Sequence, residues 1–215
     1  MCEAILAELA DEVIDCPTTP QEWRAKADVF SIKWQLQHCL GALGGKHIAI
    51  KCPPDGGSEY FNYKKFHSII LMALVDGDYK FIWLDVGQPG SAGDAQVFNR
   101  SELKECIEDG SAGFPEPDPL PGDDTDVAYF IAADDAFALK TWLMKPYSKR
   151  LLTITERVFN YRLSRARRIV ENAFGILASR FQVLLTTMRQ WRLGDSSLWD
   201  GGAGPRTDSS SDDGS

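Results

Sequence analysis

The chain has 215 residues, 44% of them hydrophobic and 11% aromatic, enough for one sizeable packed core, and a net charge of −8 that excludes a uniformly basic nucleic-acid binder. No apolar run reaches the roughly 18 residues a membrane span needs, and no basic stretch precedes an apolar one at the N-terminus, as a secretory signal requires. Five cysteines (Cys2, Cys16, Cys39, Cys52, Cys106) with no CxxC spacing suit neither a disulfide framework nor a zinc site, so buried thiols in a reducing compartment are expected.

In chain order, residues 1–36 read as one or two short helices broken at CPTTP, with Thr18 or Thr19 capping ahead of Pro20. His47–Ile50 is apolar and β-branched, which predicts a first strand over 45–52 bounded by glycines and prolines. Residues 53–58 form a turn. The apolar runs 66–75 and 79–86 flank Asp76-Gly77 and predict a hairpin. After a glycine-rich loop at 87–93, Val97, Phe98, Leu103 and Ile107 suit one or two short helices. The acidic, proline- and glycine-rich stretch 109–126 reads as an exposed loop. Residues 127–133 suit a buried fourth strand ending at Asp134-Asp135. Residues 139–143 read as a helical turn stopped before Pro146.

The longest helix signal spans 154–184, capped by Thr153 or Thr155. Its apolar face carries Phe159, Leu163, Ala166, Val170, Ala173, Leu177, Phe181 and Leu184. Three strands, a helical crossover, a fourth strand and a closing helix describe an α/β fold, a mixed ribonuclease H-like sheet flanked by helices. Three segments are expected: an N-terminal helical remnant at 1–36, a catalytic domain at 37–192, and an acidic tail at 193–215. The tail is rich in Gly, Ser and Asp and is expected to be disordered.

Charge is segregated along the chain. From Lys145 to Arg192, eleven Lys and Arg face only Glu156 and Glu171, a net +9, so the remainder carries −17. That pattern suits a local polyanion-binding surface or a solvated helix face whose arginines pair with acids elsewhere. Three acids stand at informative places. Asp94 opens a helix, either as a cap or as a ligand. Asp134, or its neighbour Asp135, follows a buried strand, where open α/β sheets place their sites. Glu171 lies beside the apolar stripe of the long helix, paired with Arg167 or Arg168 or turned to a ligand. Phe159, Tyr161, Trp142 and Trp191 suit core packing or base stacking. His38, His47 and His67 have no metal-ligand spacing.

Four segments together resemble the Harbinger class of DDE superfamily endonuclease domains: LGALGGKHIAIKCP, DVGQPGSAGDAQVFNRSEL, YFIAADDAFALKTWLMKPY and FNYRLSRARRIVENAFGILASRFQVL. The resemblance runs from about residue 20 to 192. It implies phosphodiester cleavage or strand transfer on DNA by two divalent ions, Mg or Mn, about 3.5–4 Å apart and held by carboxylates. The catalytic and metal-binding residues it implies are Asp94, Asp134 and Glu171, the last 37 positions after Asp134. Arg162, Arg165, Arg167 and Arg168 become candidate phosphate contacts, which would position DNA rather than read it.

The family pattern GA(I/L)DG(K/T)H is met by Gly41–His47, and Gly44 fills the slot of the first carboxylate. In the PGSxHD pattern, Gly93 stands where His often precedes the aspartate. Losing a bridging carboxylate implies weakened metal binding and impaired cleavage; the alternative is a catalytically inactive DNA- or protein-binding domain of a degraded or domesticated transposon. The resemblance also implies a nuclear location, with the cytoplasm as a second compartment, and a separate DNA-binding partner protein. No membrane and no small-molecule substrate are expected. Only about 35 residues precede the expected catalytic domain, and no helix-turn-helix or zinc-finger pattern is seen, so a truncated gene, a relic or a host-adapted derivative is expected.

Overall fold

The structure, a computed structural model, describes residues 13–54 and 56–188. Helix α1 (Pro20–Val29) leads through a wide helical turn (Phe30–Trp34) into strands β1 (Cys39–Ala49), β2 (Ser68–Val75) and β3 (Phe81–Pro89). Two short helices follow, α2 (Asp94–Asn99) and α3 (Glu102–Asp109). Then come the short strands β4 (Asp118–Pro119), β5 (Asp126–Val127), β6 (Phe130–Ala132) and β7 (Leu143–Met144), and the long helix α4 (Ile154–Arg180).

The main sheet has the order β3-β2-β1-β6-β7. β1, β2 and β3 are mutually antiparallel, whereas β6 and β7 run parallel to β1 and to each other. This is the expected ribonuclease H-like mixed sheet. Apolar side chains alternate across it. One core, with Ala42, Ala73 and Ala132, lies under α4 and takes Leu163, Ala166, Val170 and Ala173 from it. The other, with Leu40, Leu43 and Met72, takes Trp23 of α1 and Val97 and Phe98 of α2.

Helix starts follow their caps. Thr19 accepts a hydrogen bond from the Glu22 amide, while the Glu22 carboxylate accepts from the amides of Thr18 and Thr19 at 2.9 and 3.1 Å. With Pro20 in the first turn this is a complete capping box. Thr153 and Glu156 repeat the arrangement at the start of α4.

Several boundaries differ from the sequence expectation. β1 begins at Cys39, well before 45, because its glycines are contact residues and not strand breakers. A Cβ on Gly41 would stand 2.7 Å from Leu74 Cδ1, so the buried Leu74 side chain packs directly over this glycine. The hairpin turn is longer than two residues. Asp76 accepts from the amides of Asp78 and Lys80, and Tyr79 turns left-handed (φ 65°). β3 runs on to Pro89, into the expected loop. The stretch 127–133 splits into β5 and β6, and β5 pairs with β4 inside the expected loop. The helical turn expected at 139–143 is a turn leading into β7, whose Leu143 pairs with Ile131 and is fully buried. Pairing to a buried strand overrides the local helical preference there. α4 ends at Arg180; Phe181 is 60% exposed and leaves the predicted apolar face.

The tail expected at 193–215, together with Arg189, Trp191 and Arg192, lies outside the described residues. Among the described residues no helix is long and apolar enough to cross a membrane.

Candidate functional site at the β1–β6 strand exit

The parallel register pairs Ala42 of β1 with Ala132 of β6. Gly44 lies two residues further along β1, and Asp134 follows two residues after Ala132, just past the end of β6, so both stand at the β6 exit. Their side-chain direction is toward α4. A Cβ on Gly44 would lie 2.8 Å from Val170 Cγ1, and Asp134 Oδ2 lies 3.9 Å from Arg167 Nη1. Glu171 follows Val170 on α4, and its Oε1 is 3.3 Å from the same Arg167 nitrogen. Asp134 and Glu171 therefore meet at this exit with Arg167 between them. Asp134 Oδ1 accepts from the Ala136 amide at 2.9 Å, which fixes the carboxylate after the strand. Asp135 turns to Lys145, whose Nζ is 3.2 Å from its carboxylate.

Asp94 stands on the other face of β1. It is the first residue of α2; the cap position belongs to Gly93, and no side chain caps the helix. The carboxylate lies against Gly45, so close that a Cβ there would meet Asp94 Oδ1 at 2.5 Å. Gly44 and Gly45 are adjacent in sequence and so face opposite sides of the sheet. Burial holds the Asp94 carboxyl above the ordinary carboxylate range, and the charge of Asp134 adds to the rise, while Lys64 opposes it. The two aspartates thus feel each other across the strand edge without sharing a face.

Sequence reasoning missed Asp85 on β3, which burial also holds above its usual value. It pairs with Met72, which pairs with Gly45, so it stands on the Asp94 rung of the sheet. Its signal was hidden, since Asp85 sits in an apolar run that reads as pure strand.

The four candidate arginines differ in their surroundings. Arg167 is engaged by the two acids. The Arg165 guanidinium lies 5.8 Å from the ring centres of both Trp34 and Tyr161, held between them. Arg168 is exposed and Arg162 half-buried. Of the candidate stacking rings, Tyr161 is exposed, whereas Trp142 packs beside Phe98 and Phe159 against Tyr147. The histidines make structural contacts: His47 bonds Ser68 Oγ, and His38 lies between Asp118 and the Val127 carbonyl. Burial pushes the Cys39 thiol up to about 12, consistent with a packing role. An open cleft of about 650 Å³ runs from Glu171 along Gly175 and Ile176 to Arg180, with Tyr79 opposite.

The donor set does not fit the two-ion centre that the resemblance implies. The first carboxylate position is glycine, the guanidinium of Arg167 stands between Asp134 and Glu171, and Asp94 is on the opposite face. Among the described residues no group of three or more His, Cys, Asp or Glu side chains is arranged to hold a metal ion.

The family described as DDE superfamily endonuclease matches residues 43–196. The chain is 29% identical over 168 residues to "Protein ALP1-like" of Arabidopsis thaliana, covering 75% of this chain and 41% of that protein. It is also 29% identical over 183 residues to the proteins named "Putative nuclease HARBI1" of Bos taurus and of Homo sapiens, covering 83% of this chain and 47% of each. The chain thus spans about half the length of these relatives or less. No solved structure matches it.

Proposed function

Since this chain belongs to the DDE superfamily endonucleases, we propose that it is a transposase-derived nuclease domain that grips DNA while its divalent-ion centre is too incomplete for efficient phosphodiester cleavage. The observation that carries this reading is Gly44 beside Asp134. The position that would lend a shared carboxylate to the strand exit has no side chain. Hard divalent ions are held by the number and charge of their oxygen ligands, and Asp134, Glu171 and the more distant Asp94 are a reduced set. Phosphate contacts are assigned to Arg168 and Arg162. The cleft from Glu171 to Arg180 suits a strand leaving the site. By likeness to the family, the protein acts in the nucleus beside a separate DNA-binding partner.

A supercoiled-plasmid nicking assay with Mg²⁺ or Mn²⁺ tests the reading. The native chain is expected to nick no faster than the metal blank. A carboxylate at 44 needs room, because its Cβ would press on Val170 Cγ1 at 2.8 Å, so the restoring variant is Gly44→Asp with Val170→Ala. Nicking by the native chain that Asp134→Asn abolishes would sink the proposal.

The alternative, a catalytically inactive DNA- or protein-binding domain of a degraded or domesticated transposon, has its own support. Leu151, Ile154 and Val158 expose apolar surface where α4 begins, which suits a protein partner. Filter binding across a salt series separates the two forms. DNA affinity must fall steeply with salt if phosphates are contacted, and an absent or salt-independent affinity leaves protein binding.

A further inference from the structure

At the β6 exit the acids are already matched by cations of the chain itself. Asp135 is held by Lys145 at 3.2 Å. Asp134 and Glu171 share one nitrogen of Arg167, at 3.9 and 3.3 Å. We propose that Arg167 is the resident cation of this site, a guanidinium that links Asp134 to Glu171 and keeps the pair from sharing a divalent ion. The inference rests on the reading that the centre is incomplete at Gly44.

The charge balance carries it. Two carboxylates leave one negative charge beside an arginine, too little to draw a hard dication out of its water shell. A third carboxylate at position 44 would tip that balance toward the metal. Arginine is also a cation that does not yield by losing its proton, since guanidinium stays charged throughout the accessible pH range. The helix fixes its place: Arg167 and Glu171 are four residues apart on one face of α4. All three side chains are partly exposed, so the pairing contributes little to folding stability, and variants at 167 are expected to fold.

Mn²⁺ titration of the full chain, read by loss of the free-ion paramagnetic resonance signal, tests the proposal without DNA. Arg167→Met is expected to bind Mn²⁺ about tenfold or more tighter than the native chain, the order of gain from removing a unit charge at contact range. Arg167→Lys, which keeps the charge, is expected to resemble the native chain. Adding Asp134→Asn to Arg167→Met is expected to erase the gain. Arg167→Gln serves as a second variant, and circular dichroism checks the fold of each. Equal affinity in the native chain and Arg167→Met, or a gain that survives Asp134→Asn, overturns the inference. Nicking on the same samples keeps the two readings apart. A native chain that binds Mn²⁺ as well as Arg167→Met but leaves plasmid intact loses this inference and keeps the impaired-nuclease reading. Metal-dependent nicking by the native chain overturns that reading, and with it the inference that rests on it.

Discussion

Gly44 and Gly45 are consecutive residues with opposite neighbours, and that one step of the strand divides the candidate acids. Gly44 faces Val170 and the α4 side, where Asp134 and Glu171 meet; Gly45 faces Asp94. The family pattern makes position 44 legible as a missing ligand, but the sequence gives no way to see that Asp94 lies on the other face. Spacing along the chain does not report strand parity once a turn and a helix start intervene. The buried environment of Asp94 has a consequence for stability. Its folded carboxyl titrates above the ordinary 3.8 of an aspartate, so folding favours the protonated form. The contribution is most favourable below the ordinary value, and it is lost as pH rises through the raised one. Asp94→Asn, which cannot ionise, is therefore expected to be more stable than the native chain at neutral pH. That advantage should shrink as pH falls toward and below 3.8. Urea unfolding of both proteins at a series of pH values measures this, and a gain independent of pH would refute the burial argument.

At the scale of elements, the helices were the most readable parts. Their starts carry local chemistry, the Thr-x-x-Glu boxes at Thr19 and Thr153, and their faces carry a period that survives in the structure. The strands were less readable, because their limits depend on neighbours distant in sequence. The glycines of β1 look like punctuation but mark close approach to Leu74, Val170 and Asp94, and β7 exists only because β6 offers it an edge. Helix α1 reads as a peripheral piece in sequence, yet it anchors one core. Trp23 is fully buried, and its indole N–H donates to the Ala112 carbonyl at 2.8 Å while Phe114 packs edge-on to its ring. Trp23→Ala is expected to cost about 3–5 kcal/mol, the range for emptying a large aromatic site, and chemical denaturation reads it directly. A loss well under 1 kcal/mol would mean that α1 is dispensable to the fold.

For the whole molecule, the decisive feature is that a chain of net charge −8 contains one segment, residues 145–192, with a net charge of +9, and the long helix lies within it. The sequence exposes that segregation, but not which arginines remain for a ligand, since pairing partners come from other elements. Trp34, next to the first strand, and Tyr161, one turn before it on α4, claim Arg165; Asp134 and Glu171 claim Arg167. Arg168 points outward from the same turn of helix and is exposed. This division separates two effects that a basic helix would otherwise blend. A phosphate-contacting arginine contributes counterion release, so its removal lowers the slope of log affinity against log salt by about one. An arginine held between rings contributes packing and cation–π attraction, so its removal is felt mainly as lost stability. Arg168→Gln is thus expected to flatten the salt dependence of DNA binding by about one unit of slope while leaving the melting temperature unchanged. Arg165→Gln is expected to lower the melting temperature and leave the slope nearly as it was. Fluorescence anisotropy with a duplex at several salt concentrations, run beside thermal melts, distinguishes the two. If the variants exchanged these signatures, the DNA-facing side of α4 would have to be reassigned to the aromatic edge at Trp34 and Tyr161.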